Sequence, residues 1–317
     1  MPITRRHTLT AAATALLARP AAAQDFPNRP IRVIVPYAAG GTDQYIRLLQ
    51  NDFAQRLGQP VVIESVVGGG GGIGANRVRT STPDGYTLLF GGTAALTVVP
   101  RIQNQPYTTA DFAPVCQLVA LPIMVAAKRG FRHRTAQEML AAARAQPESI
   151  SFGSPGIGSS PHLAGEAMAR AAGVKLLHVP YAGIAPAMTA LLAGDIDLVV
   201  GAPGIIMPTV ESHGTIPLAQ TGATRSAALP DLVALKELGL DVDLVTRFGF
   251  FAPKQTPEPI LDQLDRTFRA AAATPDYAQA MRRAFNEVQL QDRAQFGRAL
   301  AEEDRAMARL IEQLALR

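Results

Sequence analysis

Short apolar runs rich in Val and Ile alternate along this chain with Ala/Leu/Arg-rich stretches that have a helical period. This alternation is typical of a parallel sheet wrapped by helices. Strands are predicted at residues 31–35, 60–63, 86–90, 124–127, 151–153, 176–179 and 196–200. Helices are predicted at residues 43–57, 74–80, 135–145, 162–172 and 186–192. The pattern therefore predicts an α/β body.

From Pro257 onward the chain is mainly of helical period, and residues 293–316 are amphipathic with one charged face. Pro257, behind Thr256, is typical of a helix start. Within the α/β part, Thr135 is predicted to cap its helix, with Glu138 as the reciprocal partner. We therefore expect an α/β body followed by a helical C-terminal segment.

Residues 1–23 have the pattern of an export signal. Arg5 and Arg6 form a positive segment, residues 9–18 form a short apolar run, and 21–23 is an Ala-Ala-Ala cleavage pattern. The apolar run is shorter than the roughly 20 residues that span a bilayer. The sequence therefore predicts a periplasmic protein cut before Gln24, and the arginine pair is compatible with the twin-arginine route.

Removal of the signal changes the charge of the working protein, because Arg5, Arg6 and Arg19 leave with it and no acidic residue does. The formal net charge falls by three, from +4 to +1. No Lys/Arg stripe with interleaved aromatic residues remains, so a nucleic acid partner is not expected. The single cysteine, Cys116, lies in an apolar run that favours a buried thiol and excludes an internal disulfide.

The mature chain is long for one hydrophobic core, so two lobes are expected. Hydrophobic residues make up 48% of the sequence, which is ample for burial. No stretch has the polar composition of a disordered linker. The two lobes are therefore expected to share a hinge.

The loop 36–43, which we call the first loop, follows the first predicted strand and contains Gly40 and Gly41. Two glycines there allow backbone N–H groups to converge above a helix N-terminus, which favours an anion without any Lys or Arg. The alternative is that the glycines only form the turn and that Thr42 or Asp43 only caps the helix. Arg47 is interpreted as an intrahelical partner of Asp43.

The loop 154–162, which we call the second loop, has the same character. It combines the hydroxyls of Ser154 and Ser159 with Gly158, and Pro161 marks a helix start. Two such loops far apart in sequence suit a ligand held between two lobes. His162 is interpreted as packing or hydrogen-bonding locally, with a ligand role as the alternative.

Other chemical motifs are weak. Gly69, Gly71 and Gly74 satisfy the dinucleotide spacing, but a run of five glycines satisfies any such spacing and no acidic residue follows at the required distance. Ser154 lacks the nucleophile elbow because Phe152 stands at its first glycine position. The histidines have no metal-ligand spacing. We therefore expect no catalytic residues, no metal and no cofactor.

Several segments resemble the Bug-type extracytoplasmic solute receptors of tripartite tricarboxylate transporters. The resemblance spans nearly all of the mature chain in the right order. It is carried by residues 26–31, the first loop, 83–89, 154–163, 178–183, 191–198 and 248–253.

The resemblance implies a two-lobed type II periplasmic binding protein, whose sheet-and-helix lobes are joined by a double-crossover hinge. It places lobe 1 at residues 24–123 plus 247–317 and lobe 2 at 124–246, with crossings near 121–124 and 246–249. Ligand-binding residues are expected to be Tyr37, Ala39, Gly40, Gly41, Thr42, Asp43, Thr93, Ser154, Gly158, Ser159, Tyr181 and Gly201.

The implied function is capture without chemistry: a monomeric receptor binds a small carboxylated metabolite and delivers it to membrane permease subunits. Two alternatives stay open, a receptor that presents its ligand to a membrane sensor kinase and an exported enzyme. The chain also departs from the family pattern, with Ala182 in place of a lysine and Arg247 in place of a tryptophan.

Overall fold

The strands form two separate sheets in the computed structural model, which describes residues 26–316. The predicted export signal lies outside the described residues. The strands are β1 (Ile31–Val35), β2 (Val61–Ser65), β3 (Thr87–Gly92), β4 (Phe112–Pro122), β5 (Met124–Ala127), β6 (Ser151–Ser154), β7 (Leu177–Pro180), β8 (Leu198–Gly201), β9 (Ile216–Gln220), β10 (Val245–Pro253) and β11 (Val288–Gln291). All seven predicted strands are present, and β4, β9, β10 and β11 were not predicted from periodicity.

Both sheets are mixed rather than parallel throughout. The first has the order β11-β4-β10-β3-β1-β2 and the second the order β7-β6-β8-β5-β9. In the first sheet β1, β2 and β3 are parallel, whereas β10 is antiparallel to its neighbours β3 and β4. In the second sheet β6, β7 and β8 are parallel, and β5 is antiparallel to β8 and β9. The expectation of a purely parallel sheet was therefore too simple.

The helices are α1 (Gln44–Arg47), α2 (Gln50–Leu57), α3 (Gly72–Arg79), α4 (Ala94–Thr97), α5 (Val99–Ile102), α6 (Ala136–Ala145), α7 (Ser160–Ala171), α8 (Ile184–Ala193), α9 (Pro203–His213), α10 (Glu258–Ala272), α11 (Pro275–Arg283) and α12 (Arg293–Leu314). The predicted helix 43–57 is broken into α1 and α2 at Leu49, whose φ of −102° and ψ of −5° interrupt the helical path. No helix within residues 26–316 is long and apolar enough to cross a membrane.

The predicted cap of α6 is present in one direction only. The Thr135 hydroxyl accepts a hydrogen bond from the Glu138 amide at 3.2 Å. The Glu138 carboxylate instead accepts from the amide of Arg134 at 2.7 Å, one residue before the cap. The prediction that the Glu138 carboxylate would accept from the Thr135 amide was therefore wrong, because it accepts from the amide one residue earlier.

Each sheet has its own hydrophobic core. On the first sheet, rings pack in contact: the centroids of Phe250 and Phe268 are 4.2 Å apart, and those of Phe53 and Phe268 are 4.7 Å apart. Cys116 is fully buried in this core as a free thiol, as predicted. On the second sheet, Phe152 is buried in a separate core. Two cores give a two-lobed molecule.

The hinge between the lobes has Thr221 at its centre. The chain passes from β4 to β5 through Ile123 and enters β10 after Leu244. The fully buried Thr221 hydroxyl accepts a bond from the Ile123 amide at 2.8 Å and donates to the Leu244 carbonyl oxygen. Its own amide donates to the Ile123 carbonyl oxygen at 2.8 Å. Thr221 therefore hydrogen-bonds to both segments that cross between the lobes.

The predicted lobe limits stay a prediction. Residues 246–249, where the second crossing was expected, lie inside β10 of the first sheet. Helix α12 also contacts both sides: Phe296 packs in the core of the first sheet, while Ile311 clusters with Leu163 of α7. The C-terminal helix thus packs against both lobes.

We predict that Thr221→Val destabilises the protein by about 2–4 kcal/mol, because the Ile123 amide and the Leu244 carbonyl would both lose a buried partner. Thr221→Ser keeps the hydroxyl and should retain most of this stability. The free energy of unfolding from urea titrations measures the difference. Thr189→Val is the control, since that hydroxyl only bonds the carbonyl of its own helix at Ala185. A Thr221→Val value within 0.5 kcal/mol of this control (about the spread of ordinary surface substitutions) would contradict the role of Thr221.

Candidate functional site

The first and second loops face each other across a narrow cleft between the lobes. The Ala38 amide of the first loop donates to the Ala182 carbonyl oxygen on the other side at 3.0 Å. Gly70 lies so close to the second loop that a Cβ atom there would overlap the Ile157 carbonyl oxygen. Gln103 Nε2 donates to that same oxygen at 2.5 Å. The structure is therefore a closed form, held partly by direct backbone contact.

A central cavity of about 30 Å³ lies between the two loops. Of the residues predicted to bind ligand, Tyr37, Gly41, Thr42 and Ser159 line it. The other lining residues are Tyr45, Gly92, Pro155, Ser160, Pro161, Ile184, Ala202, Ile205, Thr246 and Phe248.

A second space, which we call the mouth cavity, measures about 260 Å³ and adjoins the central one. Tyr37 and Pro155 line both. The predicted residue Tyr181 lines the mouth cavity, as does Ala182. The glycine run also lines it, from Gly68 to Gly71, so these glycines form a wall of the cleft.

The first loop uses its own glycine amides, which corrects the expectation that they face a ligand. The amides of Gly40 and Gly41 donate to Asp43 Oδ1 at 2.8 and 3.0 Å. Arg47 binds the other oxygen of that carboxylate at 2.6 Å, as predicted. Asp43 is thus the anion that fills the glycine turn, and its own negative charge lies under the loop.

The second loop likewise satisfies most of its own donors. The Gly158 amide donates to His162 Nδ1 at 3.2 Å, and the Ser159 amide donates to the Gly156 carbonyl oxygen at 3.1 Å. Ser159 Oγ donates to the same Gly156 oxygen at 2.8 Å. His162 is therefore a structural acceptor for the loop, in agreement with the local interpretation.

Only a few backbone donors remain at the central cavity. In the first turn of α7, the amides of His162 and Leu163 both donate to Ser159, and Pro161 has no N–H. This leaves the Ser160 amide, which has no acceptor among the described residues. On the first loop, the Thr42 amide likewise has no acceptor among the described residues. The residues that carry these two donors come from opposite lobes and line one cavity.

Hydroxyl groups complete the polar lining. No protein partner within residues 26–316 is found for the hydroxyls of Tyr37, Tyr45, Thr42 and Thr246. Burial raises the pKa of Tyr37 and of Tyr45, so both phenols stay protonated and can donate.

No charged side chain lines either the central or the mouth cavity. Arg247 instead pairs with Glu303 at 3.0 Å beside a separate cavity of about 330 Å³ behind the hinge.

Seven of the predicted binding residues line neither the central nor the mouth cavity. Three of them stabilise the loops by hydrogen bonds. The Gly40 amide donates to the Asp43 carboxylate, and the Gly158 amide donates to His162 Nδ1. Thr93 is fully buried and its amide donates to the Arg247 carbonyl oxygen. The full set of seven is Ala39, Gly40, Asp43, Thr93, Ser154, Gly158 and Gly201.

Sequence reasoning missed the glycine run and the side chains that reach the cavity from distant segments. The run carried a signal, since four successive glycines, 68–71, have positive φ values that other residues rarely adopt. Thr246 and Phe248 carried none, because their approach to the first loop depends on the pairing of β10 with β3.

Ser154 and two histidines form a buried group under the second loop. Ser154 Oγ lies 2.8 Å from His178 Nε2, and the His162 and His178 rings are 4.2 Å apart. Burial, reinforced by the neighbouring His178, lowers the pKa of His162 to about 3, and burial lowers the pKa of His178 to about 4. Both rings are therefore neutral at pH 7. For His162, the bond that Nδ1 accepts from the Gly158 amide also requires an unprotonated Nδ1. Within residues 26–316, no group of three or more His, Cys, Asp or Glu side chains could hold a metal ion.

Comparison with known proteins identifies a family of transporter receptors. Residues 45–316 match the family model described as the tripartite tricarboxylate transporter family receptor. A Cupriavidus necator protein of the UPF0065 group, encoded in the gbd 5′ region, is 35% identical over an alignment of 329 positions that covers 98% of this chain and 98% of that one.

Two solved structures are similar over nearly the whole chain. The periplasmic binding protein BugD is 30% identical with a TM-score of 0.87, covering 92% of this chain and 99% of that one. An R. palustris protein solved with adipate is 26% identical with the same TM-score of 0.87 and the same coverage of 92% and 99%. These superpositions confirm the two-lobed α/β fold of a periplasmic binding protein.

We predict that the buried histidines make the protein acid-sensitive. Between pH 6.5, their ordinary pKa, and about 4, the unfolded chain takes up protons that the folded chain does not. The free energy of unfolding should therefore fall as pH falls, by up to about 1.4 kcal/mol per pH unit for each ring. His162→Asn can keep an acceptor for Gly158 but cannot be protonated, so its slope should be about half that of the wild type. Urea titrations from pH 7 to 5 measure the slope, and the exposed His213→Asn is the control. Equal slopes in all three proteins would show that the buried pair is not the cause.

Proposed function

The chain belongs to the tripartite tricarboxylate transporter receptor family, and we propose that it captures a small carboxylated solute between its lobes and delivers it to the membrane permease. The R. palustris relative solved with adipate supports a carboxylate as ligand. We place the receptor in the periplasm, with residues 1–23 as its export signal, by analogy with the periplasmic relative BugD.

One observation carries the proposal. Ser160, at the N-terminus of α7, and Thr42, in the first loop, come from opposite lobes, line a single cavity, and each have an amide without an acceptor among the described residues. An N-terminal amide of a helix carries partial positive charge and favours an anion without a cationic side chain. A carboxylate has two oxygens, so it can accept from one donor on each lobe.

The free hydroxyls around this point increase the capacity to bind a carboxylate. Tyr37 and Thr42 belong to the first loop, whereas Ser160 belongs to the second. Each is neutral, so it can donate to a carboxylate oxygen without bringing a charge that would need its own partner. We therefore propose that the ligand is held by neutral donors alone.

Ligand binding would favour the closed form, because only that form brings the two sets of donors to one carboxylate. We propose an opening of the lobes about the segments that Thr221 ties together. The receptor is proposed to act as a monomer and without chemistry of its own. The Ser154–His178 pair lies outside both cavities of the cleft, which supports a structural role for it.

We predict that the Ser160 amide contributes to carboxylate binding, which can be isolated with two substitutions. Ser160→Ala removes only the hydroxyl, whereas Ser160→Pro also removes the amide donor. Proline is favoured at the first position of a helix, and Ser159 already has the extended φ of −68° and ψ of 153° that suit a residue before proline.

The measurement is isothermal calorimetry with the best ligand from a melting-temperature screen of mono-, di-, tri- and aromatic carboxylates. A ligand at a hundredfold excess over its Kd should stabilise the wild type by about 2.7 kcal/mol. Ser160→Pro should then weaken binding at least 10-fold beyond Ser160→Ala. Equal affinities of the two variants would contradict the assignment of this donor, and a screen without any stabilising carboxylate would contradict the proposed function.

We also predict that Gly70→Ala prevents closure. A methyl group there would overlap the Ile157 carbonyl oxygen, and φ is +60°. Gly58→Ala is a matched control, because φ is +67° and nothing lies within 4 Å of the added carbon. Small-angle scattering with saturating ligand should give a larger radius of gyration for Gly70→Ala than for Gly58→Ala and the wild type. Three equal radii would show that contact at Gly70 is not needed for closure.

A further inference from the structure

We infer that a second contact between the lobes, in which Glu287 binds the turn 226–228, sets the affinity of this receptor for its ligand without touching the ligand. The inference rests on the proposed function, because it requires that closure of the cleft captures a carboxylate. It follows from the hydrogen bonds of Glu287, from a close backbone approach beside them, and from the places of both contacts along the two sheets.

Glu287 belongs to the lobe of the first sheet and bonds to the lobe of the second. It directly precedes β11, which pairs with β4. Its Oε1 atom accepts from Ser226 Oγ at 2.7 Å and from the Ala228 amide at 3.0 Å. Among residues 26–316, no cationic side chain lies within ion-pair distance of this carboxylate. Hydrogen bonds to an ionised carboxylate are stronger than those between neutral groups, so Glu287 joins the two lobes by two strong bonds.

The turn 226–228 is anchored in its own lobe by Gln220. This side chain is fully buried at the end of β9 in the second sheet. Its Oε1 accepts from the Ser226 amide at 3.0 Å, and its Nε2 donates to the Leu229 carbonyl oxygen at 2.8 Å. Because the turn is fixed to the second sheet, its bonds to Glu287 depend on how the two lobes are placed relative to each other.

A close approach of the backbone lies beside these bonds. Gly204, in the first turn of α9, is so near the other lobe that a Cβ atom there would lie 2.5 Å from the Ala284 carbonyl oxygen and 2.3 Å from Asn286 Nδ2. Two neighbours of Gly204 in sequence, Ala202 and Ile205, line the central cavity. The second contact therefore holds the start of the helix that forms one wall of that cavity.

The two interlobe contacts lie at opposite edges of the sheets. The first includes Gly70, after β2, and Ala182, after β7, and each of these strands is one edge of its sheet. The second includes Glu287, before β11, and Ser226, after β9, and these strands are the other two edges. The cleft is therefore held closed from both edges.

Loss of the second contact would destabilise the closed form and leave the donors to the ligand in place. Because the closed form is the one that holds the ligand, Kd would rise by the same factor for every carboxylate. A residue that touched the ligand would instead change the affinity for some acids more than for others. Most of the change would be in the dissociation rate, since the contact forms after the ligand has entered.

Two substitutions of Glu287 test this role. Glu287→Ala removes the acceptor, whereas Glu287→Gln keeps an oxygen that can accept from both donors. Isothermal calorimetry is carried out with each carboxylate that stabilises the wild type in the melting-temperature screen. Glu287→Ala should raise Kd about 5- to 10-fold, by the same factor for each acid, and Glu287→Gln should raise it less. Stopped-flow measurements should show a parallel rise in the dissociation rate.

Glu211→Ala is the matched control. Glu211 is an exposed glutamate of α9 without an ion pair to any described residue, so this variant makes the same change of charge away from the contact. It should leave Kd unchanged. Circular dichroism and the ligand-free melting temperature verify that each variant folds.

A double-mutant cycle connects the effect to the contact itself. Ser226→Ala removes the donor that lies on the opposite lobe. Glu287→Ala should therefore raise Kd by a smaller factor in the Ser226→Ala background than in the wild type. Independent effects of the two substitutions would show that they do not act through one contact.

The outcomes are distinct. An unchanged Kd in folded Glu287→Ala would overturn the inference, as would a factor that differs between acids or independent effects in the double-mutant cycle. In these cases carboxylate capture itself would stand. A wild-type protein that binds no carboxylate would overturn the proposed function and this inference together.

Discussion

The arrangement of this cleft depends on the direct approach of one lobe's backbone to that of the other. The Ala38 amide bonds the Ala182 carbonyl oxygen, and Gly70 lies against Ile157 with no room for a side chain. Because the two lobes meet this closely, residues of both lobes that carry unpaired donors line one cavity of about 30 Å³. A bulkier residue at the contact would hold the lobes apart and separate the donors. The alanine at position 182 is compatible with this contact, since the bond uses its carbonyl oxygen and not its side chain.

The second constraint is that both loops use most of their own polar groups. Asp43 takes the two glycine amides of the first loop, and His162 takes an amide of the second. Buried polar groups require such partners, so the few donors left over are the ones positioned for a ligand. In the proposed function, affinity therefore comes from a small number of fixed neutral donors, whose positions are held by groups that do not touch the ligand.

The sequence was sufficient for the fold and for the two loops, and insufficient for the atoms that face the cavity. Apolar periodicity located β1, β5 and the helices after them, and motif resemblance indicated two lobes. The sequence could not show that Asp43 accepts the glycine amides of its own loop. A carboxylate next to glycines is equally compatible with a helix cap and with a ligand contact. Thr246 and Phe248 reach the cavity only through the antiparallel pairing of β10 with β3, a long-range contact with no local pattern. The glycine run was visible but its role was not, since only the closed cleft places Ile157 against it.

In the proposed function, neutral donors from both lobes hold the carboxylate, and no cationic side chain takes part. A crystal structure of the receptor with its bound acid tests this most directly. The account predicts one carboxylate with its oxygens about 2.7–3.2 Å from the amide nitrogens of Ser160 and Thr42. A carboxylate paired with Arg247 or another cationic side chain, or bound outside the cleft, would contradict it.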